Sequence, residues 1–374
     1  MTYRTYALQE LVTIKYGKNQ KNVQDDKRGM YPILGTGGLM GYSTEPLYSK
    51  PSVLIGRKGS ISKVKYVDEP FWTVDTLFYT IVNDSIVYPK YLYYLMSMTD
   101  FNQYNEGTTI PSLRTDTLNR LEFGIPPLKE QEVVLNVLSA LDNKIESNNQ
   151  INDNLEQQAQ AIFKSWFIDF EPWNREQPSN WIAGTLGEFV EIKRGGSPRP
   201  IHDYLSETGL RWLKISDVTG LQTPFVLDIK EHIKESGFKK TVLLKSGALV
   251  LSNSATPGIP KILDVDTCIH DGWLYFVNSH FSNEYLYLFF KHIKKDLVVL
   301  GNGSVFTNLK TDILKSFPTV VPDNVTLRHF DETIKPIFLC IKNNTREINS
   351  LAALRDTLLP KLMSGELDIS DVNI

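Results

Sequence analysis

Leu8-Gln9-Glu10-Leu11-Val12-Thr13-Ile14-Lys15-Tyr16-Gly17 is written again as Leu186-Gly187-Glu188-Phe189-Val190-Glu191-Ile192-Lys193-Arg194-Gly195, 178 positions later, with Leu, Glu, Val, Ile, Lys and Gly in identical places. Further on the offset becomes 196: Asp75, Gly107, Leu113, Thr115 and Asp116 match Asp271, Gly303, Leu309, Thr311 and Asp312. An internal repeat fixes architecture before any motif is weighed. The change of offset gives the second copy about 18 more residues between these points, read here as a loop difference on one fold. At 374 residues the chain exceeds one ordinary core, in line with a duplicated domain.

Each copy has the same order of parts. The alternating opening leads into Gly-rich turns, Gly35-Thr36-Gly37-Gly38 and Gly195-Gly196-Ser197-Pro198. Strand-like runs follow at Ser52–Ile55 and Leu77–Ile81, and at Ala248–Leu251 and Leu274–Val277. Aromatic helices are expected over Tyr91–Phe101 and Glu284–Ile293, and each copy closes with a long helix. The expected fold is mixed α/β: two internally repeated α+β heads separated by two long antiparallel coiled-coil helices. The boundaries are residues 1–127 for the first head, 128–172 for its helix, 173–182 for a linker, 183–321 for the second head, and 322–374 for the second helix and tail.

The helices carry a seam of alternating three- and four-residue spacing. Leu138, Leu141, Ile145, Asn148, Asn152, Leu155, Ala159, Ile162 and Trp166 recur 196 positions on as Ile334, Ile337, Ile341, Asn344, Ile348, Leu351, Arg355, Leu358 and Leu362. A sustained heptad seam reads as coiled coil. Pro126-Pro127 and Pro172 bracket the first helix. Pro336 predicts a late start for the second, and Pro360 a kink or an early end. Asn148 and Asn344 share one seam position and are expected to face each other across an antiparallel pair, fixing register at some cost in stability. From Val134 to Trp166 the helix spans on the order of 50 Å at 1.5 Å per residue, more than one turn of B-DNA.

The net charge of −3 argues against general polyanion binding but not against a local basic groove. Lys50 to Lys65 contains no acid; Arg57, Lys58, Ser60, Lys63 and Lys65 suit phosphate and base contacts, with glycines that let the backbone approach. The second copy offers Arg194, Ser197, Arg199, Asn253, Ser254, Thr256 and Lys261. Before the long helices stand Thr108, Thr109, Ser112 and Arg114, matched by Ser304, Thr307, Asn308 and Lys310. A solvated turn explains any one of these residues as well; the set together points to nucleic acid.

Catalytic and metal-binding residues are expected to be absent. There is no phosphate-cradling Gly-x-x-x-x-Gly-Lys-Ser/Thr loop, no Gly-x-Ser-x-Gly elbow, no Asn-Pro-Pro-Tyr or Asp-Pro-Pro-Tyr segment, and the six histidines are scattered. Asp75 and Asp271 recur, and a turn-closing role outweighs a catalytic one. Two cysteines, no membrane-length apolar run and no signal segment suggest the cytoplasm.

Two further strings are specific. Ile125-Pro126-Pro127-Leu128-Lys129-Glu130-Gln131-Glu132 leads through Leu138-Ser139-Ala140-Leu141-Asp142-Asn143-Lys144-Ile145 to Ala161-Ile162-Phe163-Lys164-Ser165-Trp166-Phe167-Ile168-Asp169-Phe170-Glu171-Pro172. The second copy ends Leu354-Arg355-Asp356-Thr357-Leu358-Leu359-Pro360-Lys361-Leu362-Met363-Ser364-Gly365-Glu366-Leu367. Over almost the whole chain this resembles the specificity (S) subunit of Type I restriction–modification enzymes, whose conserved regions these strings match. The resemblance implies a non-catalytic DNA-recognition subunit. Each head, a target recognition domain, would read one half of a bipartite, asymmetric double-stranded DNA sequence, and the helix pair would set the unread gap. Two methyltransferase (M) subunits and restriction (R) subunits would be partners, carrying S-adenosylmethionine, ATP and Mg. Trp166, Phe167 and Phe170 would dock the methyltransferase or be buried within this chain. Arg355, standing where the first copy has Ala159, implies a looser seam. Alternatives are a methylation-only or phage-exclusion system, a protein-interaction scaffold that does not bind DNA, or an enzyme with an unrecognised site.

Overall fold

A computed structural model of the chain describes residues 3–301 and 309–367. They form two compact units, the first made of residues up to Asn143 together with those from Leu351 onward, the second of Lys144–Ser350. None of the helices among the described residues is long and apolar enough to cross a membrane.

In the first unit, Arg4–Ala7 pairs antiparallel with Glu122–Ile125. A four-stranded sheet runs in the order Val12–Tyr16, Leu77–Val82, Ser52–Gly56, Val64–Val67. A three-stranded sheet joins Gly38–Ser43, Tyr31–Gly35 and Trp72–Thr73. The opening string is not strand throughout: Leu8–Leu11 makes one helical turn, burying Leu8 and Leu11, before the strand begins. The aromatic helix covers Pro89–Ser97, and Phe101 belongs to a separate 3-10 turn capped by the Asp100 carboxylate.

The second unit repeats the plan and enlarges it. Ile182–Thr185 pairs with Pro318–Val321 as its counterpart does in the first unit. One five-stranded sheet holds Glu191–Arg194, Trp273–Val277, Leu249–Ser252, Pro260–Leu263 and Phe225–Val226. Another holds Leu205–Ser206, His232–Ile233, Leu210–Leu213, Thr267–Ile269 and Val242–Leu244. The extra residues of the second copy are therefore more than a loop. Three strands of the first unit become five here, with a core of their own around Trp212, Ile233 and Cys268. The aromatic helix covers Asn283–His292.

The long helices are Leu128–Phe167 and Asn324–Ser364. Every predicted seam position is buried or half-buried. The second helix neither starts late at Pro336 nor breaks at Pro360. Both prolines, and the residues four before them, Glu332 and Asp356, are exposed. The carbonyls that lose a backbone donor can therefore be solvated, which lowers the cost of an interior proline. The first helix ends at Phe167, ahead of Pro172; Phe170 takes a left-handed conformation (φ 51°) and a 3-10 turn covers Glu171–Trp173.

In the first unit the head rests on helix residues Val134, Leu138, Leu362 and Met363. Gln131 is fully buried and saturated: its Nε2 donates to the carbonyls of Ile86 (2.9 Å) and Pro126 (2.8 Å), and its Oε1 accepts from the Tyr88 amide (2.9 Å). Arg355 does not loosen the seam, since its guanidinium donates to Asp142 at 3.0 Å, and Asp142 also accepts the Tyr94 hydroxyl.

In the second unit Phe330 is fully buried between Phe163, Trp166, Phe167 and Tyr285, with ring centroids 4.7 to 6.1 Å away. Phe170 and Trp173 pack on Trp181. The stretch 173–182, expected as a linker, is thus anchored to the core. Trp166, Phe167 and Phe170 are at least half-buried within this unit's own aromatic cluster, which leaves little of them for a docking partner.

Asn148 and Asn344 do not face each other. Asn148, 1% exposed, donates to Glu347 (2.9 Å), whereas Asn344 donates to Asn152 (3.0 Å) and Asn152 Nδ2 stands 3.4 Å from Thr345 Oγ1. The antiparallel register is displaced by one helical turn from the one that would pair the two repeat-equivalent residues. Asn152→Leu is expected to cost about 1–2 kcal/mol by removing the acceptor of a half-buried amide. Asn152→Leu combined with Asn344→Leu should recover most of that loss. A double-mutant cycle read by urea unfolding checks it; additive losses would exclude the coupling.

Candidate nucleic-acid interface

The two candidate segments of the first head lie against each other. The Gly59 amide donates to the Pro111 carbonyl (2.9 Å), the Leu113 amide to the Arg57 carbonyl (3.0 Å), and Lys58 bridges Ser112. Lys58, Ser60, Lys63, Thr108, Thr109 and Arg114 are exposed on these loops, while Arg57, Lys65 and Ser112 are half-buried. Gly107 is required by close approach, because a Cβ there would stand 1.9 Å from the Ile110 carbonyl oxygen. Arg57 lies over the Tyr16 ring at 5.1 Å and donates to the Asp75 carbonyl at 2.8 Å. Arg114 is partly neutralised by Glu106 at 3.1 Å.

The second head builds the same frame from different side chains. Asn253 stands where Arg57 does; its Nδ2 lies 3.4 Å from the Asp271 carbonyl, and its own carbonyl accepts the Leu309 amide at 2.8 Å. Arg194, in the place of Tyr16, donates to that same Asp271 carbonyl. The Asp271 carboxylate accepts Ser197 (2.6 Å) and Arg199 (3.3 Å). The Ser197 hydrogen bond, joined by the charges of Arg199 and Arg194, holds this carboxyl below the usual carboxylate range. Asp75 and Asp271 are thus turn residues that organise the arginines. Gly17 and Gly195 recur because a Cβ at either would meet a neighbouring backbone carbonyl, that of Val74 at 2.0 Å or of His270 at 2.2 Å.

Several second-head candidates fall differently. Arg194, Arg199, Thr256 and Lys310 are exposed and Ser197 and Ser254 half-buried, but Asn253 is 3% exposed and serves the frame. Ser304, Thr307 and Asn308 lie outside the described residues. Lys261 is not a surface cation. It is 4% exposed on a strand covered on both faces, and its ammonium donates to the carbonyls of Leu221 (2.7 Å) and Thr223. Burial pushes its pKa down to about 8, with Glu156 opposing the shift.

The sign of the Lys261 effect follows from proton uptake. Between pH 8 and about 10.5 the unfolded chain holds a proton that the folded one has lost, so stability rises with pH across that window. Relative to Lys261→Met, the natural chain should gain about 3 kcal/mol there. Chemical denaturation of both proteins from pH 7 to 10.5 checks this; parallel curves would exclude a depressed lysine.

The sequence reading missed Gln131, Asp142 and the turn around Phe238. Gln131 stands in the Lys129-Glu130-Gln131-Glu132 string, but no periodicity shows that a polar side chain will be saturated by backbone.

What the two faces offer is exposed cations and hydroxyls on hydrogen-bonded, glycine-dependent loops, which fits phosphate positioning and base-edge contacts. Residues 2–157 and 178–353 each match the family described as Type I restriction modification DNA specificity domain. The Type I restriction enzyme MjaIX specificity subunit of Methanocaldococcus jannaschii is 26% identical over 351 residues, covering 87% of this chain and 80% of that protein. The HindI specificity subunit of Haemophilus influenzae is 24% identical over 379 residues, covering 79% and 81%. The crystal structure of the Type I restriction–modification system S subunit from M. genitalium shares the fold, with a TM-score of 0.63 at 20% identity over 97% of this chain and 96% of that one. With two copies of that domain spanning most of its length, this chain belongs to the Type I restriction–modification DNA specificity family.

Proposed function

We propose that this chain is the DNA specificity subunit of a Type I restriction–modification complex. Each head reads one half of a bipartite, asymmetric duplex target, and the long helices set the number of unread base pairs between the halves. The observation that carries this reading is the shared frame with unlike side chains: Arg57 over Tyr16 in one head, exposed Arg194 on a frame closed by buried Asn253 in the other, each organised by the carbonyl of an equivalent aspartate. One scaffold presenting two chemistries is what an asymmetric target needs.

In this reading the chain is not itself catalytic. Methyl transfer and cleavage belong to two methyltransferase subunits and to restriction subunits, with S-adenosylmethionine, ATP and Mg bound by those partners in the cytoplasm. The methyltransferase docks on exposed helix positions of the second unit such as Ile151 and Leu339 rather than on the occupied aromatic cluster.

The test is a methylome. The chain is co-expressed with its neighbouring methyltransferase, and the host DNA is sequenced for modified bases with and without this gene. A bipartite motif that vanishes with the gene is expected. Methylation that persists without it, or a compact undivided motif, would overturn the proposal.

A further inference from the structure

The second head carries a feature that the repeat does not share and that its arginine frame does not use. The 3-10 turn Glu235–Lys240 exposes Phe238, 43% accessible, between the exposed cations Lys234, Lys239 and Lys240; its one acid is Glu235. The turn is held firmly from below. Gly237 is buried, and a Cβ there would stand 2.9 Å from the Ile233 side chain and 3.2 Å from the Tyr204 ring. Lys240 lies over that ring at 4.9 Å and donates to its hydroxyl at 2.8 Å, while Lys234 donates to the Asp203 carbonyl at 2.8 Å. With the glycine packed inward, the next residue is left at the surface.

This turn adjoins the Asp271 cluster. Gly196, one residue before Ser197, approaches so closely that a Cβ would be 2.9 Å from the Lys240 carbonyl oxygen. The Gly196 amide (3.3 Å) and the Thr241 hydroxyl (2.9 Å) both donate to the carbonyl of Ile269, two residues before Asp271. The turn that exposes Phe238 among lysines is therefore joined through its last residues to the segment that carries Ser197 and Arg199. It also lies in the stretch where the two copies differ in length, so the first head has no counterpart.

We infer that Phe238 is a base-reading residue of the second half-site, set against the 5-methyl group of a thymine in the major groove, with Lys239 and Lys240 on the flanking phosphates. An apolar side chain meets a thymine methyl in the major groove without needing a hydrogen bond, and the cations supply sequence-independent attraction. Charge complementarity selects the occupant, because a polyanion is the partner that the three exposed cations Lys234, Lys239 and Lys240 would draw. The inference rests on the proposed DNA-reading role.

The test uses the complex of this chain with its methyltransferase, on the duplex whose motif the methylome has given. Each thymine of the second half-site is replaced in turn by deoxyuracil, which removes only the methyl group. For the natural complex one such replacement should weaken binding by roughly three- to tenfold. Phe238→Ala should lose a similar factor on the thymine duplex and nothing further on the uracil one, and Phe238→Leu should keep part of the discrimination. Lys239→Ala with Lys240→Ala should weaken all sequences alike and reduce the salt dependence by about one to two counterions.

If Phe238→Ala fails to assemble, Phe238→Leu carries the same measurement. Three results would overturn the inference: no thymine in the second half-site, equal uracil penalties with and without Phe238, or no penalty at any position. Each leaves the specificity role standing. A methylome indifferent to the gene would reject the role itself.

Discussion

Replacing residues 1–127 by the head of another family member is expected to change one half of the methylated motif completely and leave the other half and the gap as they are. The physical reason lies in how the first head is seated. Gln131 grips backbone groups of the head, the carbonyls of Ile86 and Pro126 and the amide of Tyr88, so it tolerates any grafted sequence with the same backbone. The apolar floor of Val134, Leu138, Leu362 and Met363 stays with the recipient. The Tyr94 hydroxyl on Asp142 and the Tyr3 hydroxyl on the Met363 carbonyl are specific to side chains, so a donor head lacking either tyrosine should have it restored. Sequencing modified bases from hosts carrying parent and chimera decides the matter. A change in both halves would refute separate reading.

Phe330→Ala should give the largest loss of stability, about 3–5 kcal/mol. The ring is fully buried and touches four aromatic side chains from the first long helix and the aromatic helix of the second head. Its removal leaves a cavity that stiff neighbouring rings fill poorly. Hydrogen exchange along the second unit, measured with increasing urea, should show protection falling over residues 144–350. A loss below about 1 kcal/mol would mean that the cluster collapses into the space.

Much of this fold is legible in the sequence because it depends on period. The seam positions from Leu138 to Trp166 and from Ile334 to Leu362 are all buried or half-buried, and the four strand-like runs are strands. The repeated Gly17 and Gly195 mark two equivalent close approaches. What fails is what depends on company. Lys261 sits beside Ser, Thr and Gly like a phosphate ligand, yet its strand is covered on both faces and its ammonium is capped by carbonyls contributed 38 and 40 positions away. Pro336 and Pro360 read as breaks because sequence does not reveal that they fall on the wet side of the helix. Asn148 and Asn344 share a repeat position, but repeat symmetry alone does not fix the register, and the pair slides by one turn to join Asn152. Of the candidate interface, the juxtaposition of residues 57–63 with 107–114 was hidden by sequence distance, and Phe238 by its place in the stretch without a repeat partner.

The first unit closes with a hydrogen bond, 3.0 Å long, from the Tyr3 hydroxyl to the Met363 carbonyl, and its core needs Leu362 and Met363. During translation the first head emerges early, but these residues are made some 220 positions after Asn143. At ribosomal speeds of roughly 5–20 residues per second, the head waits on the order of 10–40 s without Leu362 and Met363 in its core. For that interval it is an unfinished surface, open to chaperones or to the late segment of a neighbouring nascent chain. Polysomes that crowd many copies together would favour such exchange, and slow synthesis of the second head would prolong it.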